Sequence, residues 1–148
     1  MTNHRISDQD LMQAAISCAL ENNTPYGALV VNVRNGEKIV CANTTSSGDK
    51  TEHAEMNALR KLNQLIYNDE EDLILYSTAE PCPMCMGAIL WCGIKKVKFG
   101  ISITVVKQFH GQIMVSAQRL NEHYHNDCVI TGGVLEEQCF KLFKKLAS

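Results

Sequence analysis

The chain has 148 residues, of which 45% are hydrophobic and 20% are charged, as expected for one globular domain with one core. Its 14 Lys and Arg residues against 16 Asp and Glu residues leave a net charge of −2. The chain therefore lacks the excess of basic residues that is typical of nucleic-acid-binding proteins. No apolar run approaches the roughly 20 residues of a membrane helix, and the polar N-terminus lacks a secretory signal core. We therefore expect a single domain over residues 1–148, located in the cytoplasm.

Hydrophobic periodicity predicts alternating helices and strands along the chain. The predicted elements are a helix over 7–22, strands over 26–33 and 38–42, a helix over 53–66, a strand over 72–78, a helix over 83–92, strands over 95–100 and 128–133, and a helix over 134–146. The Asn35-Gly36 pair favours a hairpin between the first two strands. Residues 101–127 have the weakest pattern, a short helix followed by irregular chain. This order predicts a mixed sheet covered by helices.

The seven cysteines cannot all pair within the chain, because their number is odd. Without a secretory signal the thiols are expected to stay reduced. Five of them are predicted to be small buried hydrophobic residues, namely Cys18, Cys41, Cys92, Cys128 and Cys139. The remaining two, in the segment PCPMC at 81–85, have a spacing that calls for a separate explanation.

Cys82 and Cys85 lie at the predicted start of a helix. Pro83 suits the first helical position, because its missing N–H would have no partner there, so Cys82 falls near the N-cap and Cys85 one turn later. The positive end of the helix dipole favours thiolates, and two thiolates at this spacing can bind one Zn²⁺. A redox pair of cysteines and a structural zinc site remain as alternatives.

Among the five histidines, His53 is the candidate third ligand, because it opens a helix after a polar loop. Strands that precede both helices would place the two helix N-termini at the same edge of the sheet. Three protein ligands leave an open position for water, as in catalytic zinc sites. Glu55 lies about 200° further around the helix than His53. It is therefore better placed to move protons over that open position than to bind the metal.

The combination of HAE at 53–55 with PCPMC at 81–85 resembles the signature of the cytidine-deaminase-like superfamily. The chain is most similar to the branch of guanine deaminases, tRNA adenosine deaminases and fungal-type cytosine deaminases. PYGALVV (25–31), LYSTAEPCPMCMGAILWCGIKKVKFG (75–100) and TGGVLEEQC (131–139) extend the resemblance over most of the chain. The resemblance implies a three-layer α/β/α fold, with a mixed five-stranded sheet between helices on both faces, and a homodimer.

The resemblance also implies the chemistry of the site. His53, Cys82 and Cys85 would be the ligands of one Zn²⁺ per chain, and Glu55 would be the proton shuttle. Zinc hydroxide would attack the carbon that bears the amino group. Glu55 would pass protons to the ring nitrogen and to the leaving amine, and ammonia would depart.

For the substrate, the resemblance implies a hydrogen bond from Asn43 to the base and backbone contacts at Ala54 and Glu80. A free nucleobase or nucleoside is expected, and the wording PCPMCMGAILW favours a guanine-type purine over cytosine or cytidine. A tRNA substrate is not favoured, because the chain is net acidic and ISITVVKQFHG at 101–111 departs from the pattern of the tRNA enzymes. A catalytically silent zinc-binding scaffold is the alternative from a different class, although the catalytic-type Glu55 is present.

Two aromatic features lie outside these motifs. Trp91, the single tryptophan, is expected to pack either in the core or at a dimer face. The run His123, Tyr124 and His125 is predicted to be a solvated loop rather than a second metal site.

Overall fold

The computed structural model describes residues 7–147. The helices are α1 (Asp8–Glu21), α2 (Ala54–Leu59), α3 (Pro83–Trp91), α4 (Ile103–Val106), α5 (Ala117–Glu122) and α6 (Glu136–Leu146). The strands are β1 (Gly27–Asn32), β2 (Lys38–Ala42), β3 (Leu73–Ala79), β4 (Lys96–Ile101) and β5 (Val129–Thr131). Two single 3₁₀ turns, Leu62–Gln64 and Glu70–Asp72, precede β3.

The five strands form one mixed sheet in the order β2-β1-β3-β4-β5. Strand β1 pairs antiparallel with both β2 and β3, whereas β3, β4 and β5 run parallel to one another. Strands β2 and β3 therefore point in the same direction, and their carboxyl ends lie at one edge of the sheet. The predicted mixed five-stranded sheet is confirmed.

Helices cover both faces of the sheet. Helices α2, α3 and α5 pack on one face through a cluster that includes Ala58, Met86, Ile89 and Ala117. Helices α1 and α6 pack on the other through Met12, Ile16, Leu142 and Phe143. Because both faces are covered, β1 and β3 are buried at every position, as is usual for the central strands of such a sheet. The α/β/α layers are those expected from the sequence.

The helix predicted over 53–66 is shorter than expected. Helix α2 ends at Leu59, and the backbone then tightens, because Lys61, Gln64 and Leu65 donate to carbonyls three residues earlier instead of four. Ala58, Leu62 and Leu65 nevertheless remain buried in the same cluster. The apolar spacing thus predicted which side chains are buried, but not the hydrogen-bond pattern of the backbone.

Several smaller expectations have clear outcomes. Residues 101–127 hold two short helices, α4 and α5, instead of one. Cys41, Cys128 and Cys139 are buried as predicted, whereas Cys18 and Cys92 are only half-buried. No helix among residues 7–147 is long and apolar enough to span a bilayer.

Trp91 does not fill the core, since it is 82% exposed and its ring centroid lies 5.7 Å from that of Tyr124. A position at a dimer face stays a prediction. His123, Tyr124 and His125 are all exposed, in agreement with the predicted loop.

Candidate functional site

Two helix N-termini meet at the edge of the sheet where β2 and β3 end. His53 is the N-cap residue of α2 and Cys82 is the N-cap residue of α3, and both have extended backbone. Neither side chain caps its own helix, so the His53 imidazole and the Cys82 thiol are free to bind a ligand. Pro83 occupies the first turn of α3, as its fixed φ favours.

The geometry of three side chains fits a zinc ion. His53 Nδ1 lies 3.5 Å from Cys82 Sγ and 3.6 Å from Cys85 Sγ, and all three atoms lie within 4.8 Å of one another. Tetrahedral zinc with ordinary Zn–N and Zn–S bonds separates its nitrogen and sulfur ligands by about 3.6 Å. No other cluster of three His, Cys, Asp or Glu side chains among residues 7–147 is close enough to hold a metal.

The pKa values of the two thiols favour one thiolate, which would attract a cation. The pKa of Cys82 is lowered to about 4, because the Cys85 thiol donates a hydrogen bond to it and His53 adds a second bond. The same bond from Cys85, together with burial, raises the pKa of Cys85. The hydrogen bond to Cys82 raises the pKa of His53. Cys82 is therefore the first thiolate, and a metal ion would displace the remaining protons.

Glu55 is a buried carboxyl group beside these ligands. Its side chain is 5% exposed, and burial, supported by the negative charge of Cys82, raises its pKa to about 7. The Ser77 hydroxyl donates to Glu55 Oε2 at 3.2 Å. A group with a pKa near neutrality can both accept and donate a proton efficiently at physiological pH.

A cleft of about 480 Å³ opens beside this centre, within the range of small-molecule sites. Asn43 lines it together with His53, Glu55, Glu80 and Cys82. Asn43 Oδ1 accepts bonds from the backbone N–H and the hydroxyl of Thr45, both at 2.8 Å. The Asn43 amide nitrogen is therefore the group that can donate to a ligand. Ala54 is buried and does not line the cleft, so its backbone contact with substrate stays a prediction.

The Glu80 side chain has a role that the sequence interpretation missed. Its carboxylate is buried; Oε1 accepts from the Ile103 N–H at 2.9 Å and Oε2 from the Ala117 N–H at 2.8 Å. Ile103 and Ala117 are the first residues of α4 and α5. Glu80 thus ties both short helices to the end of β3. An acidic residue that directly follows a mainly apolar strand was the available signal, because a buried charge needs partners.

We expect Glu80→Gln to destabilise the protein by about 1–3 kcal/mol, the cost of leaving a buried polar group unsatisfied. Glutamine offers one acceptor oxygen where the carboxylate offers two, and its amide N–H groups would face a backbone donor. Urea unfolding of the zinc-loaded protein measures the change. The matched control is Glu122→Gln on the exposed end of α5. Equal midpoints for Glu80→Gln and the control would contradict the anchoring role.

Two further cleft residues, Tyr26 and His110, were given no role in the sequence analysis. The Tyr26 hydroxyl lies 2.7 Å from His110 Nδ1, and the Tyr26 ring meets Phe143 of α6 edge-on at 5.0 Å between centroids. Leu146, at the end of α6, lines the same cleft. Tyr26 and His110 are 84 residues apart, and no local pattern connects them.

Comparison with known proteins agrees with this geometry. The family model of the cytidine and deoxycytidylate deaminase zinc-binding region matches residues 5–101. A probable cytosine deaminase of Schizosaccharomyces pombe is 33% identical over 69% of this chain and 66% of that protein. The guanine deaminase of Bacillus subtilis is 33% identical over 67% of each chain. The match thus spans about two thirds of the length of these two relatives.

Two further comparisons extend over nearly the whole chain. A tRNA-specific adenosine deaminase of Bacillus subtilis is 30% identical over 94% of this chain and 85% of that protein. A crystal structure of a mutant of the protein NE0047 in complex with 8-azaguanine has the same fold, with a TM-score of 0.83 at 20% identity, over 95% of this chain and 84% of that chain. The chain therefore belongs to the cytidine and deoxycytidylate deaminase zinc-binding family.

Proposed function

We propose that this chain is a zinc-dependent hydrolytic deaminase of a free nucleobase or nucleoside, with a guanine-type purine favoured. The observation that carries the proposal is the buried Glu55 carboxyl group. It lines the same cleft as His53 and Cys82, whose candidate ligand atoms lie at distances that suit zinc. His53, Cys82 and Cys85 would hold one Zn²⁺ per chain. When bound, the zinc supplies a Lewis acid that makes water a nucleophile at neutral pH.

Glu55 would carry the protons of the reaction. Ser77 engages Glu55 Oε2, which leaves Oε1 as the oxygen available for proton transfer. Glu55 accepts one proton from the attacking water and gives it to the ring nitrogen, and then accepts the second proton of the added water and gives it to the departing amine. Ammonia leaves, and a carbonyl group remains on the base. The buried position of Glu55 keeps bulk water from competing for these protons.

The remaining cleft residues would orient the base. The Asn43 amide nitrogen can donate to an acceptor of the ring, because its oxygen is already bound by Thr45. The backbone at Ala54 and Glu80 is proposed to supply further contacts. The guanine-type assignment is supported by the similarity to a guanine deaminase and by the wording of the segment 81–91.

Cytosine is the second candidate substrate, since the chain is equally similar to a probable cytosine deaminase. A tRNA adenosine is the third. The similarity to a tRNA-specific enzyme covers more of the chain, but the net charge of −2 provides little attraction for a phosphate backbone. A silent zinc-binding scaffold is the remaining alternative, and an intact Glu55 argues against it.

An ammonia-release screen of the zinc-loaded protein tests the proposal. The panel is guanine, guanosine, adenine, cytosine, cytidine and a tRNA substrate, and we expect the highest kcat/KM for guanine. Preference for adenine, cytosine, cytidine or the tRNA substrate would overturn the guanine-type assignment alone. Silence on all six, with zinc bound, would overturn the enzymatic function and favour the scaffold.

A further inference from the structure

The Tyr26–His110 pair lies in the wall of the cleft that also holds His53 and Glu55. Both rings are half-buried, with centroids 5.6 Å apart. Neither residue has a part in the proton transfers assigned to Glu55. The role of the pair in the cleft is therefore a separate question, and the hydrogen bond between the two side chains suggests an answer.

The contact between Tyr26 and His110 Nδ1 bears on which ring nitrogen of His110 carries the hydrogen. Burial raises the pKa of the Tyr26 hydroxyl, so the phenol keeps its proton and can donate a hydrogen bond to His110 Nδ1, 2.7 Å away. A neutral imidazole that accepts at Nδ1 carries its own hydrogen on Nε2. No partner for His110 Nε2 occurs among the hydrogen bonds of residues 7–147. With the phenol as donor, the Nε2–H group of His110 has no partner among these residues, and His110 lines the cleft.

The backbone around His110 is held in place from two directions. The His110 N–H donates to the Val106 carbonyl at 3.0 Å, which continues the turn of α4, and Glu80 anchors the first residue of α4. The preceding Phe109 packs against Phe140 and Phe143 of α6, each with centroids 5.7 Å apart. A donor on such a supported segment is preorganised, as selective recognition of a ligand requires.

We propose that His110 is a further substrate-binding residue, held by Tyr26 as the Nε2–H tautomer so that it donates a hydrogen bond to an acceptor atom of the bound base. This inference rests on the proposed function and names a side chain that orients the base. With the Asn43 amide nitrogen, the cleft then presents two donors to the ligand. Both donors would be satisfied by a base that carries a carbonyl oxygen beside acceptor ring nitrogens, as guanine-type purines and cytosine both do.

The tautomer can be tested without any activity. In zinc-loaded protein with ¹⁵N-labelled histidine, we expect the His110 ring to show the neutral Nε2–H pattern by NMR. In Tyr26→Phe, which keeps the ring and removes the hydroxyl, we expect the His110 nitrogens to shift toward a mixture of tautomers. An Nδ1–H pattern in the wild-type protein, or no change in Tyr26→Phe, would overturn the proposal.

The ligand role is tested with 8-azaguanine as the probe. We expect His110→Ala to weaken its binding to the zinc-loaded protein about tenfold, the effect of one lost hydrogen bond, and Tyr26→Phe to weaken it less. His110→Gln, which restores an N–H donor, should recover part of the affinity. On the best substrate of the screen, His110→Ala should raise KM with kcat nearly unchanged, because the bond is made equally in the ground and transition states.

The control is His123→Ala, which removes an exposed histidine outside the residues that line the cleft. Wild-type affinity in His110→Ala would overturn the ligand role while leaving the proposed function intact. Absence of 8-azaguanine binding in the wild-type protein would overturn the guanine-type assignment and the role of His110 together. The two failures are therefore distinguishable.

Discussion

Glu55→Gln is expected to lower the turnover number by about 10²–10⁴-fold, the usual contribution of general acid–base catalysis. Glutamine keeps the shape of the side chain but cannot carry a proton between water and the leaving amine. The three candidate ligand atoms belong to His53, Cys82 and Cys85, so the variant should still bind about one zinc per chain. Metal analysis and steady-state kinetics on the best substrate of the screen measure both properties on one sample.

The control for Glu55→Gln is Ser77→Ala, which keeps the carboxyl group and removes the hydroxyl that donates to Glu55 Oε2 at 3.2 Å. We expect this variant to lose much less activity, because the proton carrier is still present. Normal turnover in Glu55→Gln would eliminate the shuttle role. Loss of zinc from that variant would instead show that Glu55 helps to bind the metal.

Cys85→Ala is expected to abolish zinc binding and, with it, the stability that the metal provides. The variant leaves two of the three ligand atoms that lie within 4.8 Å of one another. A ligand that binds only the folded state stabilises it by about 4 kcal/mol when its concentration is 1,000 times its Kd. The zinc-treated variant should therefore unfold at a temperature close to that of the metal-free wild-type protein.

The matched control is Cys92→Ala, which removes a half-buried thiol at the opposite end of the same helix. Zinc stoichiometry and thermal unfolding, with and without a chelator, are measured for the wild-type protein and both variants. We expect the Cys92→Ala variant to keep both its zinc and its response to the chelator. A Cys85→Ala protein that still holds one zinc per chain would contradict the proposed ligand set.

Most of the fold could be predicted because its signals are local. Apolar runs at strand length and apolar residues at helical spacing identified every strand and the three longest helices, α1, α3 and α6. The shortened α2 shows where such reasoning ends. An α-helix and a 3₁₀ turn can bury the same side chains, so the apolar spacing could not tell where one changes into the other.

The candidate metal centre could also be predicted from the sequence, since each of its parts depends on the first turn of a helix. HAE and PCPMC each place chemically distinctive side chains at a helix start, and the order of strands brings the two starts to one edge of the sheet. The pKa of Glu55 could not be predicted in this way. Its value of about 7 depends first on burial, and burial is a property of the assembled core.

By itself, the sequence determined the zinc-type motif, its catalytic-type glutamate and the layered α/β architecture, because these depend on short spacings and on hydrophobic periodicity. Only the tertiary structure decided which residues line the cleft and which hydrogen-bond donors are available to a ligand. The Glu80 carboxylate meets backbone N–H groups 23 and 37 residues away, and Tyr26 meets His110 across 84 residues. Such contacts leave no periodic signal, since they arise from how the elements pack and not from the preferences of any one segment.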